Sequence, residues 1–268
     1  SIVYFISSCC ISRGNEDKKM EEIIKTANLK KVYGLDTPYP KTALNGVSIS
    51  VNKGTFACIM GTSGSGKTTL INILSTIDEA TSGKLLIFDQ NIVGLSDKEK
   101  ANIRKRYMGF IFQDYNLIDS LKVIDNILFS LKLNKKNIIN ETEIKQIISS
   151  LGIEELLDKY PFECSGGQQQ RIAIARALVC KPKILFADEP TGNVDSIRAK
   201  QLMEYFTEIN RKYGITIVMV THDCLVASYA SEMYYVEDGK IINHIFKGND
   251  SFEKFYNRIA RISMQIKL

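Results

Sequence analysis

The chain lacks the features that mark several classes of protein. Only 5 Pro accompany 17 Gly in 268 residues, which excludes collagen-like repeats and Pro-rich disorder. Long apolar runs are missing too. The apolar stretch nearest the start, Ile2 to Ile6, is far below the roughly 18 residues a membrane helix needs, and no cationic segment precedes it as in a signal peptide. The expectation is a chain with no membrane anchor of its own. Cysteines at 9, 10, 58, 164, 180 and 224 show neither the C-x-x-C spacing of a metal site nor a dense disulfide framework, so reduced thiols in a cytoplasmic protein are the simplest account. Neither charge sign dominates: 35 Lys+Arg against 30 Asp+Glu give net +5, and the basic residues are scattered rather than striped, which argues against a nucleic-acid partner. The densest basic runs, Arg104 to Arg106 and Lys135 with Lys136, read as solvated faces.

A hydrophobic content of 44% with 24% charged residues is that of an ordinary globular protein, and the length suits one substantial domain. Residues 1–19 are expected to stand apart from it, as a disordered or artefactual extension or an over-extended reading frame, because an ordinary start follows at Met20. Cys9 and Cys10 lack the basic neighbours that would help hold a membrane-surface anchor.

From Met20 the pattern favours short strands, then the buried strand "TFACIMG" running into a glycine loop. "SGSGKTTLINILSTI" turns to helical spacing, with Leu70, Ile73, Leu74 and Ile77 on one face. Ser96 with Glu99 and Asn140 with Glu143 form capping boxes. Helical signals dominate from Asn116 to Tyr160. "KILFADEP" and "ITIVMVTHD" are near-continuous apolar runs separated by an amphipathic helix, which points to a parallel sheet covered on both faces. Asp238-Gly239 is a hairpin signal. Phe252, Phe255, Tyr256, Ile259 and Ile262 fall on helical spacing and are expected to dock on the protein's own core.

Two motifs carry chemistry. "GTSGSGKTT" comprises Gly61, Thr62, Ser63, Gly64, Ser65, Gly66, Lys67, Thr68 and Thr69. It fits G-x-x-x-x-G-K-[ST] between a strand and a helix, where glycines let backbone N–H groups turn around phosphate oxygens and the helix start adds partial positive charge. Lys67 would bridge terminal phosphates and Thr68 would hold Mg²⁺. "KILFADEP" ends a hydrophobic strand in Asp188, suited to Mg²⁺ through water, and Glu189, suited to accept a proton from an attacking water.

These motifs, followed in order with Gln113 in "FIFQDYN", the run "CSGGQQQR", Asp195 in "TGNVD" and His222 in "VTHD", resemble the nucleotide-binding subunit of an ATP-binding cassette (ABC) transporter from about Met20 to the region of Ile245. The resemblance implies ATP and Mg²⁺ as ligands. It also implies an α/β P-loop NTPase core, mostly parallel sheet with helices on both faces, within a single domain 20–268. An N-terminal antiparallel β subdomain and an inserted helical subdomain at about 114–170 would complete it. Gln113 would then contact Mg²⁺ and sense a transport subunit, His222 the γ-phosphate, and Tyr33 would stack on adenine. Ser165, Gly166, Gly167 and Gln168 would cap the nucleotide held by a second copy, with Asp195 at the dimer seam. A serine and glycine amides at a helix start make physical sense as such an anion site. The other implied partner is an integral-membrane permease, which would keep the chain on the cytoplasmic face of the membrane, and the segment Asp114–Leu121, with Tyr115 and Leu117, is the expected docking surface.

Within the family, the two long motif regions are most similar to the lipoprotein-release, macrolide-export and bacitracin-type peptide-resistance subgroup, and antimicrobial-peptide resistance or export is the expected function, with lipoprotein release or macrolide export as the alternative. DNA-repair members would place a long coiled coil between Lys67 and Ser165, which here are about a hundred residues apart without sustained heptads; translation-factor members carry two cassettes. A non-catalytic scaffold is disfavoured by the intact Lys67, Asp188, Glu189 and His222. Two positions depart from the family pattern: Cys164 and Val194 stand where leucine is common, each a smaller apolar group. Cys164→Leu is therefore expected to change packing while ATP turnover, followed by phosphate release, stays within about twofold. An inactive parent rescued by that substitution would reverse the reading.

Overall fold

The first strands bury Ile23, Ile24, Leu29, Leu44, Val47 and Val51 in one apolar core and leave Lys25, Lys30 and Asn45 to solvent. The computed structural model describes residues 21–133, 139–192 and 194–265. Expectations for residues 1–19 and for Lys135 and Lys136 lie outside these. Strands β1 (Glu22–Tyr33), β2 (Lys41–Val47) and β3 (Ser50–Asn52) open the chain, and β4 (Phe56–Gly61) runs into helix α1 (Lys67–Leu74). Next come β5 (Ser82–Ile87), β6 (Gln90–Asn91), α2 (Asp97–Tyr107), β7 (Met108–Ile111), α3 (Val123–Leu133), α4 (Glu141–Ser150) and α5 (Gly166–Leu178). The chain continues through β8 (Ile184–Asp188), α6 (Ser196–Tyr213), β9 (Thr216–Thr221), α7 (Cys224–Ala227), the hairpin β10 (Glu232–Glu237) and β11 (Lys240–Phe246), and α8 (Phe252–Gln265). Both expected capping boxes form, at Ser96/Glu99 and Asn140/Glu143.

The antiparallel sheet has the order β2-β1-β5-β6, with β3 also on β1. The second sheet has the order β11-β10-β4-β9-β8-β7, parallel throughout except for β11 at its edge. All residues of β4 and β9 are buried, as continuous apolar strands in a covered parallel sheet must be. Alternate side chains enter different cores. Ala57, Ile59, Val218 and Val220 face α1 and the antiparallel sheet, whereas Phe56, Cys58, Met60, Ile217 and Met219 face α3 through α8. The expected cover of helices on both faces is thus met on one side by α1 together with a β layer. The residue-170 bound of the expected helical insert falls inside α5, which packs on both α3 and β7.

Ile77 corrects the helical reading of α1. The helix stops at Leu74, Thr76 takes a left-handed φ of 63°, and Ile77 is 49% exposed instead of joining Leu70, Ile73 and Leu74 in the core. The amides of Ile77 and Asp78 fold back on the Asn72 carbonyl, and that turn rotates the side chain off the helix face. At the other end, Phe255 and Ile259 of α8 are wholly buried in the same core as α5 and α6, while Phe252 meets Tyr229 edge-on. Phe255→Ala is expected to lower unfolding free energy by about 3 to 5 kcal/mol. The exposed Met264→Ala should change it by less than about 0.5 kcal/mol. Urea denaturation reads both, and equal small effects would mean α8 is not part of the core.

Candidate active site

Four parallel strands end on one edge of the six-stranded sheet. β4 ends in Gly61, β7 leads to Gln113, β8 ends in Asp188 followed by Glu189, and β9 leads to His222. Ligands of open α/β sheets bind outside the carboxyl ends of the strands.

The loop after β4 needs its glycines. Gly64 and Gly66 have φ of 78° and 105°, conformations that cost glycine little. A Cβ on Gly61 would collide with the Val236 carbonyl, and one on Gly66 would stand 2.5 Å from the Ala43 carbonyl oxygen. Lys67, 7% exposed, donates to the Thr62 carbonyl at 2.7 Å. Burial pulls its pKa down, and the nearby Glu189 and Asp188 carboxylates pull it back up. Thr68 is exposed and Thr69 half-buried on the first turn of α1. Tyr33 reaches the same turn: its hydroxyl lies 2.8 Å from Asp78 Oδ2 and 3.4 Å from Thr69 Oγ1, and the Lys31 ammonium sits 4.7 Å from its ring centroid. The ring remains 42% exposed, so an aromatic surface beside the phosphate loop is available for stacking.

Asp188 carries an unmet demand. Its Oδ1 is buried with no hydrogen-bond partner among the described residues. Burial raises the carboxyl pKa, Glu189 raises it further, and Lys67 opposes both. A desolvated carboxylate oxygen without a partner is costly, and a shared cation removes the cost, so the donor set fits Mg²⁺ held by Asp188, Thr68 and Gln113. Bound there, the ion would neutralise charge on phosphate oxygens. Gln113 lies beside the loop that follows Glu189, because a Cβ on Gly192 would meet its Nε2 at 3.0 Å and the Glu189 carbonyl at 3.3 Å.

Glu189 adopts φ of 45°, unusual for a non-glycine residue and typical of strained functional positions. Its amide donates to Val220 and its carbonyl accepts from Gly192, both at 3.0 Å. The carboxylate oxygens lie 3.0 and 3.1 Å from His222 Nδ1. A carboxylate held this way can take a proton from water. With Nδ1–H donating to Glu189, a neutral His222 offers only an acceptor at Nε2.

The remaining expected residues form a second cluster. Ser165 caps α5, its Oγ accepting from the Gln168 amide at 3.4 Å while Gln168 Oε1 accepts from the Ser165 amide at 2.8 Å. Ser165 and Gly166 are exposed. A Cβ on Gly166 would stand 3.1 Å from the Tyr115 hydroxyl, and one on Gly167 would stand 3.3 Å from Arg198 Cδ. Asp195 caps α6 by accepting from the Arg198 amide at 2.9 Å, and its other oxygen is 3.4 Å from Arg198 Nε. Arg198 thus ties Asp195 to the start of α5. The candidate residues thus fall into two clusters, one on the phosphate loop and one on α5, each with its own neighbours.

Several residues that join these parts escaped the sequence reading. Gln169 donates to the Pro161 and Cys164 carbonyls at 2.9 and 3.0 Å, and the buried Gln170 donates to the Pro190 carbonyl beside Glu189. Arg176 donates to the Tyr115 carbonyl at 2.7 Å and to that of Asn116, two residues with left-handed φ of 59° and 48°. The departure at Cys164 is buried, 7% exposed, with its thiol 3.5 Å from the Tyr160 carbonyl oxygen. Within the segment Asp114–Leu121, the Tyr115 hydroxyl faces Gly166 and Leu117 packs on the core, while Asn116 and Ile118, with the preceding Phe112, line an adjacent groove.

The raised pKa of Asp188 gives a signed expectation. An acid whose folded pKa exceeds its ordinary 3.8 destabilises the fold when ionised, and this penalty is absent below 3.8 and develops as pH rises through the folded value. Without Mg²⁺, Asp188→Asn should therefore raise the melting temperature at neutral pH, with the gain fading towards pH 3.8. Equal melting curves across that range would remove desolvation of Asp188 from this account.

Comparison with known proteins agrees with the geometry. Residues 44–192 match the family model described as ABC transporter. The bacitracin export ATP-binding protein BceA of Halalkalibacterium halodurans is 45% identical over 240 residues, 89% of this chain and 94% of that protein. The lipoprotein-releasing system ATP-binding protein LolD of Aquifex aeolicus is 41% identical, covering 84% of this chain and 99% of its own. Among solved structures, the dimeric structure of MJ0796, a bacterial ABC transporter cassette, superposes with a TM-score of 0.77 at 35% identity, over 83% of this chain and 98% of that one. With a phosphate loop, an acid pair and a separate serine-capped helix start all in place, the chain belongs to the ABC transporter family, as an ATP-binding subunit.

Proposed function

We propose that this chain hydrolyses ATP as a homodimer on the cytoplasmic side of a membrane permease, and that the pair exports or confers resistance to an antimicrobial peptide of the bacitracin type. The observation that carries this reading is the 45% identity to a bacitracin export ATP-binding protein along 89% of the chain. Lys67 and the loop amides bind phosphates. Glu189 takes the proton of the attacking water, and His222 orients the terminal phosphate. The two clusters support a dimer: the exposed Ser165 hydroxyl and the amides of Gly166 and Gly167 are anion-binding donors suited to another chain's phosphates. A solved relative is itself described as dimeric.

A groove of about 550 Å³ that reaches Phe112, the residue before Gln113, suits the permease. Met108, Phe110, Phe112, Ile118 and Phe129 make it apolar, and Arg104 and Arg176 edge it. Asn126 fixes its wall by accepting from the Ile118 amide and donating to the Ile118, Leu121 and Lys122 carbonyls. Lipoprotein release or macrolide export is the second reading, favoured by the 41% identity to a lipoprotein-releasing ATP-binding protein.

The test is purification of tagged Glu189→Gln protein from detergent-solubilised native membranes with ATP, identifying companions by mass spectrometry. A permease with a large extracellular domain is expected, with turnover down at least about a hundredfold and ATP-dependent dimers retained. A short permease would favour the second reading. Ribosomes or DNA-repair factors would overturn the transporter reading, and undiminished turnover would remove Glu189 from its role.

A further inference from the structure

The tip of the β10–β11 hairpin lies against the phosphate loop, although nothing in the site description uses it. Asp238 and Gly239 have φ of 45° and 71°, the two left-handed residues of a type I′ turn. In such a turn the second amide is not needed to close the hairpin. Here the Gly239 N–H donates to the Ser65 carbonyl at 2.9 Å, and the Gly239 carbonyl accepts from the Asn45 amide at 2.8 Å. No side chain fits at Gly239: a Cβ would stand 2.6 Å from the Ala43 carbonyl oxygen, the same oxygen that crowds Gly66. The Val236 carbonyl two residues before the turn closes off Gly61.

A peptide unit is planar, and its C=O and N–H point in opposite directions when trans. Anchoring the Ser65 carbonyl on Gly239 therefore turns the Gly66 N–H away from the hairpin. Gly66 precedes Lys67 at the start of α1, where free amides serve as anion donors. Ser65 itself is 4% exposed, and its Oγ has no hydrogen-bond partner among the described residues. The Gly239 hydrogen bond is thus a fixed point for the carbonyl side of this peptide. We infer that Gly239 is a positioning residue for ATP binding: it holds the Ser65–Gly66 peptide so that the Gly66 amide is presented to the nucleotide phosphates. This rests on the reading of Gly61 to Thr69 as the phosphate site.

The test begins with the unaltered chain and amide hydrogen exchange with and without saturating ADP. If the loop must stay braced to bind phosphate, ADP stabilises the braced state by mass action and slows exchange at Gly239, which does not itself bind the nucleotide. Slowing of about tenfold is expected at Gly239, against less than about twofold at Lys247, whose amide bonds Ser231 at the open end of the same hairpin. The second measurement is competition binding by Gly239→Ala. ADP and ATP affinity should fall at least about tenfold while adenosine affinity stays within about twofold. The exposed Ile242→Ala on β11 should leave all three unchanged. Equal slowing at Gly239 and Lys247, no slowing at either, or parallel loss of adenosine and ADP in the variant would overturn the brace and leave the phosphate site standing. Failure of the unaltered chain to bind ADP would overturn both.

Discussion

Burial of β4 on both faces is the constraint on which the rest of the molecule depends. Its side chains are shared alternately between two apolar cores, so a one-residue slip would exchange Cys58 and Met60 for Ala57 and Ile59 and misplace every contact. Because the strand cannot slip, the turn after Gly61 begins at a fixed height above the sheet edge. The neighbouring strands β9 and β8 are locked in register with it, Met60 opposite Thr221 and Asp188 opposite Val220. The phosphate loop, the acid pair and His222 are therefore brought level by apolar packing before any ligand contributes.

That packing creates an electrostatic problem which the ligand resolves. Lys67 and Asp188 perturb each other in a partly desolvated edge, and the Glu189 carboxylate acts on both. One Asp188 oxygen has no partner among the described residues. The Lys67 ammonium donates to the Thr62 carbonyl, and the Glu189 carboxylate meets His222. Each of these polar groups is held in a fixed direction by the fold. Preorganisation of this sort is efficient because the unfavourable desolvation is already met by folding.

Much of this was legible in the residues. Strand and helix periods located β4, α1, β8 and β9, and the glycine pattern with its lysine marked the phosphate loop. The Asp-Gly pair marked the hairpin and two capping boxes marked α2 and α4. What stayed hidden depends on contacts distant in the chain. Ile77 has the spacing of a core residue, but the turn at Thr76 takes it to the surface. Arg176 looks like any arginine on a helix until the left-handed pair Tyr115 and Asn116 presents two carbonyls to it. The grouping of Asp195 with Gly167 through Arg198 has no local signal either. Each of these is a hydrogen-bond demand created by tertiary approach.

The cap on α5 has a kinetic implication. Its two hydrogen bonds are unequal: the Gln168 side chain reaches the Ser165 amide at 2.8 Å, whereas the Ser165 hydroxyl receives the Gln168 amide at 3.4 Å. The short bond keeps the helix start ordered, and the long one is weak enough to exchange at little cost. The serine oxygen only accepts in this cap, so its own O–H can donate to a group outside the helix without fraying the turn that carries it. Such a donor can be engaged and released quickly, because neither event needs local unfolding.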